Sequence, residues 1–299
     1  MSLIIDVQQV TKNYGQNTAL NKVDFSLEKG APVALVGPNG AGKTTLFSLL
    51  CGYIRPSSGK ISILGHSPGH AGLFGRLSAL PQDAQLDPRF TIATQLSFYA
   101  RLQGMSHKLA KSDTVRVLEM VGLSDAVNSL PSELSHGMRK RATIAQALLG
   151  NPEIVMLDEA TAGLDPANAR EIRAIVAEHA SEVNFILSSH DLSELERLCD
   201  QVLYLENGHL KQHQTHGNNE DVRFITLRMK QHQDEILSVL KQMPGVSQVD
   251  MTQDREYLLA IDTQQGQINI EVALLTLLAK NNWAYTQLIN GKTLENQLF

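Results

Sequence analysis

The sequence predicts an α/β fold over its first two-thirds and a small separate α+β domain over the remainder, on three observations. Short β-rich runs alternate with helical stretches from about residue 3 to residue 206, the rhythm of a largely parallel sheet with crossover helices. A glycine-rich motif, Gly37-Pro38-Asn39-Gly40-Ala41-Gly42-Lys43-Thr44-Thr45, stands between an apolar run and a helical one. Beyond residue 221 the tail reads strand, helix, strand, strand, helix, strand, the split-βαβ, ferredoxin-like plan.

Taken in order, residues 3–10, 22–27, 32–36 and 60–64 have strand patterning, and residues 77–80 are strand-like. Between residues 88 and 150 the pattern turns mainly helical, with breaks at Gly104, Gly122 and Pro131. This predicts a helical subdomain inserted into the α/β core. Residues 154–157, 184–188 and 201–205 are apolar enough for buried strands. Residues 207–220 are polar and turn-rich and read as a linker, which puts the domains at 1–215 and 221–299. In the tail, residues 222–229, 246–251, 257–262 and 283–289 read as strands. Residues 232–243 and 269–279 read as helices, the second with Val272, Leu275 and Leu278 on one face.

Bulk properties narrow the function classes. A net charge of −5 with a pI near 6.1 provides no global field for nucleic acid or an anionic membrane. Cys51 and Cys199 are too few and too far apart for a disulfide framework, which fits a reduced, cytosolic setting. There is no run of 18 apolar residues, and the N-terminus passes directly into strand patterning. The expectation is therefore a chain without signal peptide or membrane span.

The glycine-rich motif fits G-x-x-x-x-G-K-[ST] at every fixed position, in the strand–loop–helix setting the motif requires. Glycines let the backbone wrap a phosphate closely, and successive N–H groups at a helix N-terminus supply positive potential. Lys43 would reach the β- and γ-phosphates and the Thr44 hydroxyl would sit on Mg²⁺. The motif thus predicts binding of a nucleoside triphosphate. Residues 154–157 deliver Asp158 and Glu159 at a strand's C-terminal end. Asp158 would hold Mg²⁺ through its ligand shell, and Glu159 would polarise or take a proton from the attacking water.

Leu134-Ser135-His136-Gly137-Met138 opens a helix shortly before that strand. The segment resembles the Leu-Ser-Gly-Gly-Gln signature of ATP-binding cassette ATPases, and other landmarks of that family follow its order. Tyr14 is similar to the aromatic that stacks on adenine. Gln82 is similar to the glutamine between metal, water and transmembrane partner. Asp165, in Ala162-Gly-Leu-Asp-Pro166, lies in the segment similar to the loop linking two nucleotide sites. His190 is similar to the histidine that contacts the γ-phosphate. The resemblance covers residues 3 to 215. The signature departs from the pattern at His136 and Met138 but keeps Ser135 and Gly137, the positions that would present a hydroxyl and an N–H to ATP on an opposing subunit. Ala160 replaces the usual proline after the glutamate, and no functional meaning attaches to it.

The resemblance implies a homodimer sandwiching two ATP molecules with Mg²⁺, closed by the γ-phosphates and opened by hydrolysis. It also implies a peripheral position on the cytoplasmic face of the inner membrane, beside a polytopic permease on a separate chain. Residues 82–105 would form the groove for that partner. Export is the preferred reading, helped by the terminal Thr293-Leu-Glu-Asn-Gln-Leu-Phe299, which is similar to endings in exporter ATPases. An importer ATPase with a ligand-sensing tail and a soluble, non-transport cassette ATPase are the alternatives. Nucleic acid is not expected as a partner: the tail lacks the Gly-aromatic RNA-binding pattern and carries seven Lys and Arg against nine Asp and Glu. His209, His213 and His216 would share a face and could hold a metal if that stretch were helical, but Gly208 and Gly217 favour solvated histidines. His66 and His70 flank a turn and read as structural.

Overall fold

Two long antiparallel strands, β1 (Leu3–Tyr14) and β2 (Asn17–Glu28), open the computed structural model, which describes residues 3–190, 195, 198–199, 201–214, 222–233, 235–262 and 270–291. The chain divides into two compact units, Met1–Thr215 and His216–Phe299.

In the first unit β4 (Ser58–Ile63) adds to β1 and completes a three-stranded antiparallel sheet, order β2-β1-β4. A second sheet has six strands in the order β5-β6-β7-β3-β8-β9. These are β3 (Val33–Val36), β5 (Leu77–Leu80), β6 (Ile154–Leu157), β7 (Asn184–Ser189), β8 (Gln201–Glu206) and β9 (His209–Gln214). Five run parallel, and β9 turns back antiparallel to β8. Every residue of β3, β6 and β7 is buried, as expected of parallel strands covered on both faces. Ile5, Val10, Leu20, Leu27, Leu46, Leu49 and Ile63 belong to one core with Leu35, Met156 and Ile186, so the two sheets share their apolar interior.

Among the described residues five α-helices of eight residues or more complete this unit. α1 (Lys43–Leu50) follows β3 directly. α2 (Ile92–Leu102), α3 (His107–Met120) and α4 (His136–Ala147) start at Thr91, Ser106 and Ser135, whose hydroxyls accept backbone N–H bonds from the first turn. α5 (Pro166–His179) begins with proline at its first position, capped by Asp165. α2, α3 and α4 pack on one another. Because β5, β6, β7 and β3 are parallel neighbours, the residues that follow them emerge along one edge of the sheet, where ligand sites form in such folds.

In the second unit, strands β10 (Val222–Met229), β11 (Val246–Gln253), β12 (Glu256–Asp262) and β13 (Tyr285–Asn290) form an antiparallel sheet ordered β11-β12-β10-β13. Helices α6 (Ile236–Lys241) and α7 (Ile270–Lys280) complete the β-α-β-β-α-β order. Ile225, Leu227, Tyr257 and Leu259 alternate onto the face that packs against Ile236, Leu240, Leu274 and Leu278.

Two expectations need correction. Residues 209–214 are strand β9, not linker, so a helical histidine cluster does not exist there. On a strand, Cα atoms four residues apart are separated by about 13 Å, and the His209 ring lies 3.4 Å from Asn21 Nδ2. The His213 side chain and His216 fall outside the described residues, as does the terminal segment 293–299. Among the described residues no group of three metal-binding side chains forms. The buried face of α7 is Ile270, Leu274 and Leu278, whereas Val272 is 56% and Leu275 38% exposed. No helix among the described residues is long and apolar enough to cross a membrane.

Candidate functional site

Gly37 leaves β3 with no room for a side chain, since a Cβ there would lie 2.0 Å from the Leu205 carbonyl oxygen. Gly42, at φ 110°, caps α1, and its added Cβ would meet the Ala19 carbonyl at 2.7 Å. Gly40 also has positive φ, 81°, a conformation costly for other residues. Pro38, Asn39 and Gly40 are exposed at the rim, while Ala41 is buried and its N–H bonds the Pro38 carbonyl at 3.2 Å. Lys43 is only 6% exposed, and its Nζ donates to the carbonyls of Gly37 (2.7 Å) and Pro38 (3.2 Å). Burial lowers the Lys43 pKa, against the opposing charges of Glu159 and Asp158. Thr44, exposed, and Thr45, half-buried, occupy the first turn of α1, which carries no acidic residue. Close-approach glycines, a lysine folded over the loop and a helix N-terminus free of negative charge fit a polyphosphate.

Asp158 and Glu159 end β6 beside this loop. The Asp158 side chain is buried and accepts a hydrogen bond from the Ser188 hydroxyl of β7. Burial pushes its carboxyl up, Ser188 pulls it down, Glu159 raises it, and Lys43 and Lys140 lower it. Glu159 adopts a left-handed backbone, φ 46°, and its N–H donates to Ser188 Oγ at 2.9 Å. Its carboxylate then meets three groups. Oε2 lies 3.3 Å from His190 Nδ1 and accepts from Gln82 Nε2 at 3.4 Å, and Oε1 lies 3.9 Å from Lys43 Nζ. Glu159, Thr161, Ser189 and His190 border a hollow of about 110 Å³, room for a few water molecules. Residues that follow β3, β5 and β7 thus converge on the carboxylate that follows β6.

The remaining expected residues lie elsewhere in the unit. Ser135 spends its hydroxyl on the Met138 N–H (3.2 Å) as the cap of α4. Gly137 is buried under Asn168 of α5, where an added Cβ would lie 1.8 Å from Oδ1. Asn168 in turn donates to Asp165, which also accepts the backbone N–H groups of Ala167 and Asn168 at 3.0 Å each. Those bonds, the Asn168 backbone first, lower the Asp165 pKa. Tyr14 is half-exposed at the β1–β2 turn, its ring 5.1 Å from Lys12 Nζ. Ser188 and Asn168 were not anticipated. Ser188 meets its partners across about 30 positions of sequence, a spacing no local pattern reports.

The sequence model of the ABC transporter family matches residues 20–162. The Nod factor export ATP-binding protein I of Burkholderia orbicola is 37% identical over 211 residues, 68% of this chain and 68% of that protein. This chain is an ABC transporter ATPase. The linearmycin resistance ATP-binding protein LnrL of Bacillus subtilis is 33% identical over 210 residues, covering 69% and 68% of the two chains. Across seven Nod factor export proteins that match, the shared segment spans between 62% and 68% of their length. Among solved structures, CbiO1 from Clostridium perfringens, part of an ABC transporter complex, superposes with a TM-score of 0.65 at 26% identity over 72% of this chain and 89% of that one. As a member of this ABC family the chain binds and hydrolyses ATP.

Proposed function

We propose that this chain is the ATP-hydrolysing subunit of a multi-chain exporter, driving a separate polytopic permease by ATP-dependent dimerisation. The convergence of Lys43, Gln82 and His190 on the Glu159 carboxylate carries the enzymatic part of this reading. Gly37 to Thr45 would cradle the triphosphate, with Lys43 on its β- and γ-oxygens and Tyr14 against the adenine. Thr44, Asp158 and Gln82 would hold Mg²⁺, whose charge offsets that of the β- and γ-phosphate oxygens. Glu159 polarises the attacking water and receives its proton as the water oxygen bonds to the γ-phosphorus and the bond to ADP breaks. His190 lies beside Glu159 and would hold the γ-phosphate.

Ser135 and Gly137 stand at the N-terminus of α4, directed into their own helix cap and against Asn168. They would serve the ATP of a second copy, with Asp165 in the loop linking the two sites. The names of the relatives, Nod factor export and linearmycin resistance, favour export over import. The test is recovery of tagged Glu159→Gln protein from detergent-solubilised native membranes with ATP. A stoichiometric polytopic protein, absent when Lys43→Ala is the bait, supports the transporter reading; recovery of soluble assemblies alone rejects it.

A further inference from the structure

We infer that Ser188 is a positioning residue that locks Asp158 and Glu159 into one catalytic unit, one hydroxyl serving both. The inference rests on the ATPase reading of this site and concerns how the site is held in shape. Ser188 lies on β7, and the parallel register pairs Leu157 with Leu187, so Asp158 and Ser188 follow side by side where β6 and β7 end. The serine is only 3% exposed, beyond the reach of bulk water. Its hydroxyl proton goes to Asp158 Oδ1. Its lone pair accepts the N–H of Glu159 at 2.9 Å.

Both bonds bear on geometry that needs support. Glu159 has a positive φ of 46°, a region L-residues enter at a cost and keep only where surroundings enforce it. The Ser188 bond anchors that peptide, and the resulting turn carries the carboxylate towards Lys43, Gln82 and His190 rather than along the strand. On the other side, donation to Asp158 Oδ1 orients the carboxylate, in the manner by which outer partners fix metal-binding carboxylates. An alanine at 188 would leave the Glu159 N–H without this acceptor and let both carboxylates rotate. A threonine keeps the oxygen and suits a strand.

The experiment compares wild type, Ser188→Ala and Ser188→Thr in two assays, after thermal melts establish that each is folded. Steady-state hydrolysis should show kcat of Ser188→Ala falling about 10- to 100-fold, the range for loss of an outer-shell partner, with Ser188→Thr recovering most of it. The second assay needs no turnover. In a Glu159→Gln background, fluorescent ATP binding is titrated with Mg²⁺ and with EDTA. Ser188→Ala should shrink the gain in affinity due to Mg²⁺ while leaving affinity in EDTA unchanged. Wild-type kcat together with an unchanged Mg²⁺ gain in Ser188→Ala overturns the inference. An equal loss of affinity in EDTA also overturns it, because the hydroxyl would then support the phosphate loop or the fold. If wild type itself hydrolyses no ATP, the ATPase reading fails, while the Mg²⁺ titration still decides the role of Ser188.

Discussion

At position 37 the strand-to-loop turn passes so close to β8 that a methyl group would overlap the Leu205 carbonyl oxygen, a backbone atom held in the sheet. Gly37→Ala must therefore push the loop away from β8, and ATP affinity should fall at least about tenfold in calorimetry, with the first unit still folded. Lys43→Ala removes a charge-assisted contact of about 1.5–3 kcal/mol, so ATP should bind roughly 10- to 150-fold more weakly. Affinity equal to wild type in either variant would contradict the placement of the triphosphate. Cys51 offers a separate check on burial. Its thiol is pushed up to about 12, first by burial and then by Asp158. At pH 8 only about one thiolate in ten thousand exists, so disulfide reagents should label Cys51 only on unfolding. Most of these side chains were legible because glycine, lysine and acid runs at fixed spacing carry their chemistry in local order. Ser188 was not, because a lone strand serine gains meaning only from the neighbouring strand.

Elements were legible where burial is one-sided or complete, and illegible where composition hides the pairing. β6 needed only its apolar run between turn signals. Among the described residues β9 is an edge strand that pairs with β8 alone, so solvent can satisfy much of it. Its histidines and glutamines therefore read as a linker. In α7 the doublets Leu274-Leu275 and Leu277-Leu278 make the helix apolar around most of its circumference, so periodicity alone could not say which face is inward. The structure assigns Leu274, at 0% exposure, to the core and Leu275, at 38%, to the surface. Leu274→Ala should thus cost about 2–5 kcal/mol, and Leu275→Ala less than about 1 kcal/mol. Chemical unfolding of the full chain, followed by the Trp283 signal that reports this unit, separates the two. Equal destabilisation would mean the helix is turned from the face described.

At the scale of the whole molecule, the residues expected to meet ATP fall into two groups within one chain. The loop, the carboxylates, Gln82 and His190 gather at one sheet edge, while Ser135 caps its own helix and Gly137 is pressed against α5. A second copy related by a two-fold axis would bring each α4 N-terminus to the other chain's phosphates, the isologous arrangement commonest among closed assemblies. On the proposed reading ATP would join the copies, and hydrolysis would remove the γ-phosphate contacts that favour closure. Glu159→Gln keeps the shape of the Glu159 side chain but withdraws the proton acceptor, so hydrolysis should fall about 10²- to 10⁴-fold while nucleotide binding persists. Light scattering on this variant should then show a dimer with Mg²⁺ and ATP and a monomer with ADP. Ser135→Ala in the same background should weaken the dimer, because the hydroxyl that caps α4 and would serve the γ-phosphate of the second copy is gone, while calorimetric binding of ATP to the monomer stays as it was. A dimer indifferent to nucleotide, or one unaffected by Ser135→Ala, would place closure on another surface and separate it from the ATP cycle.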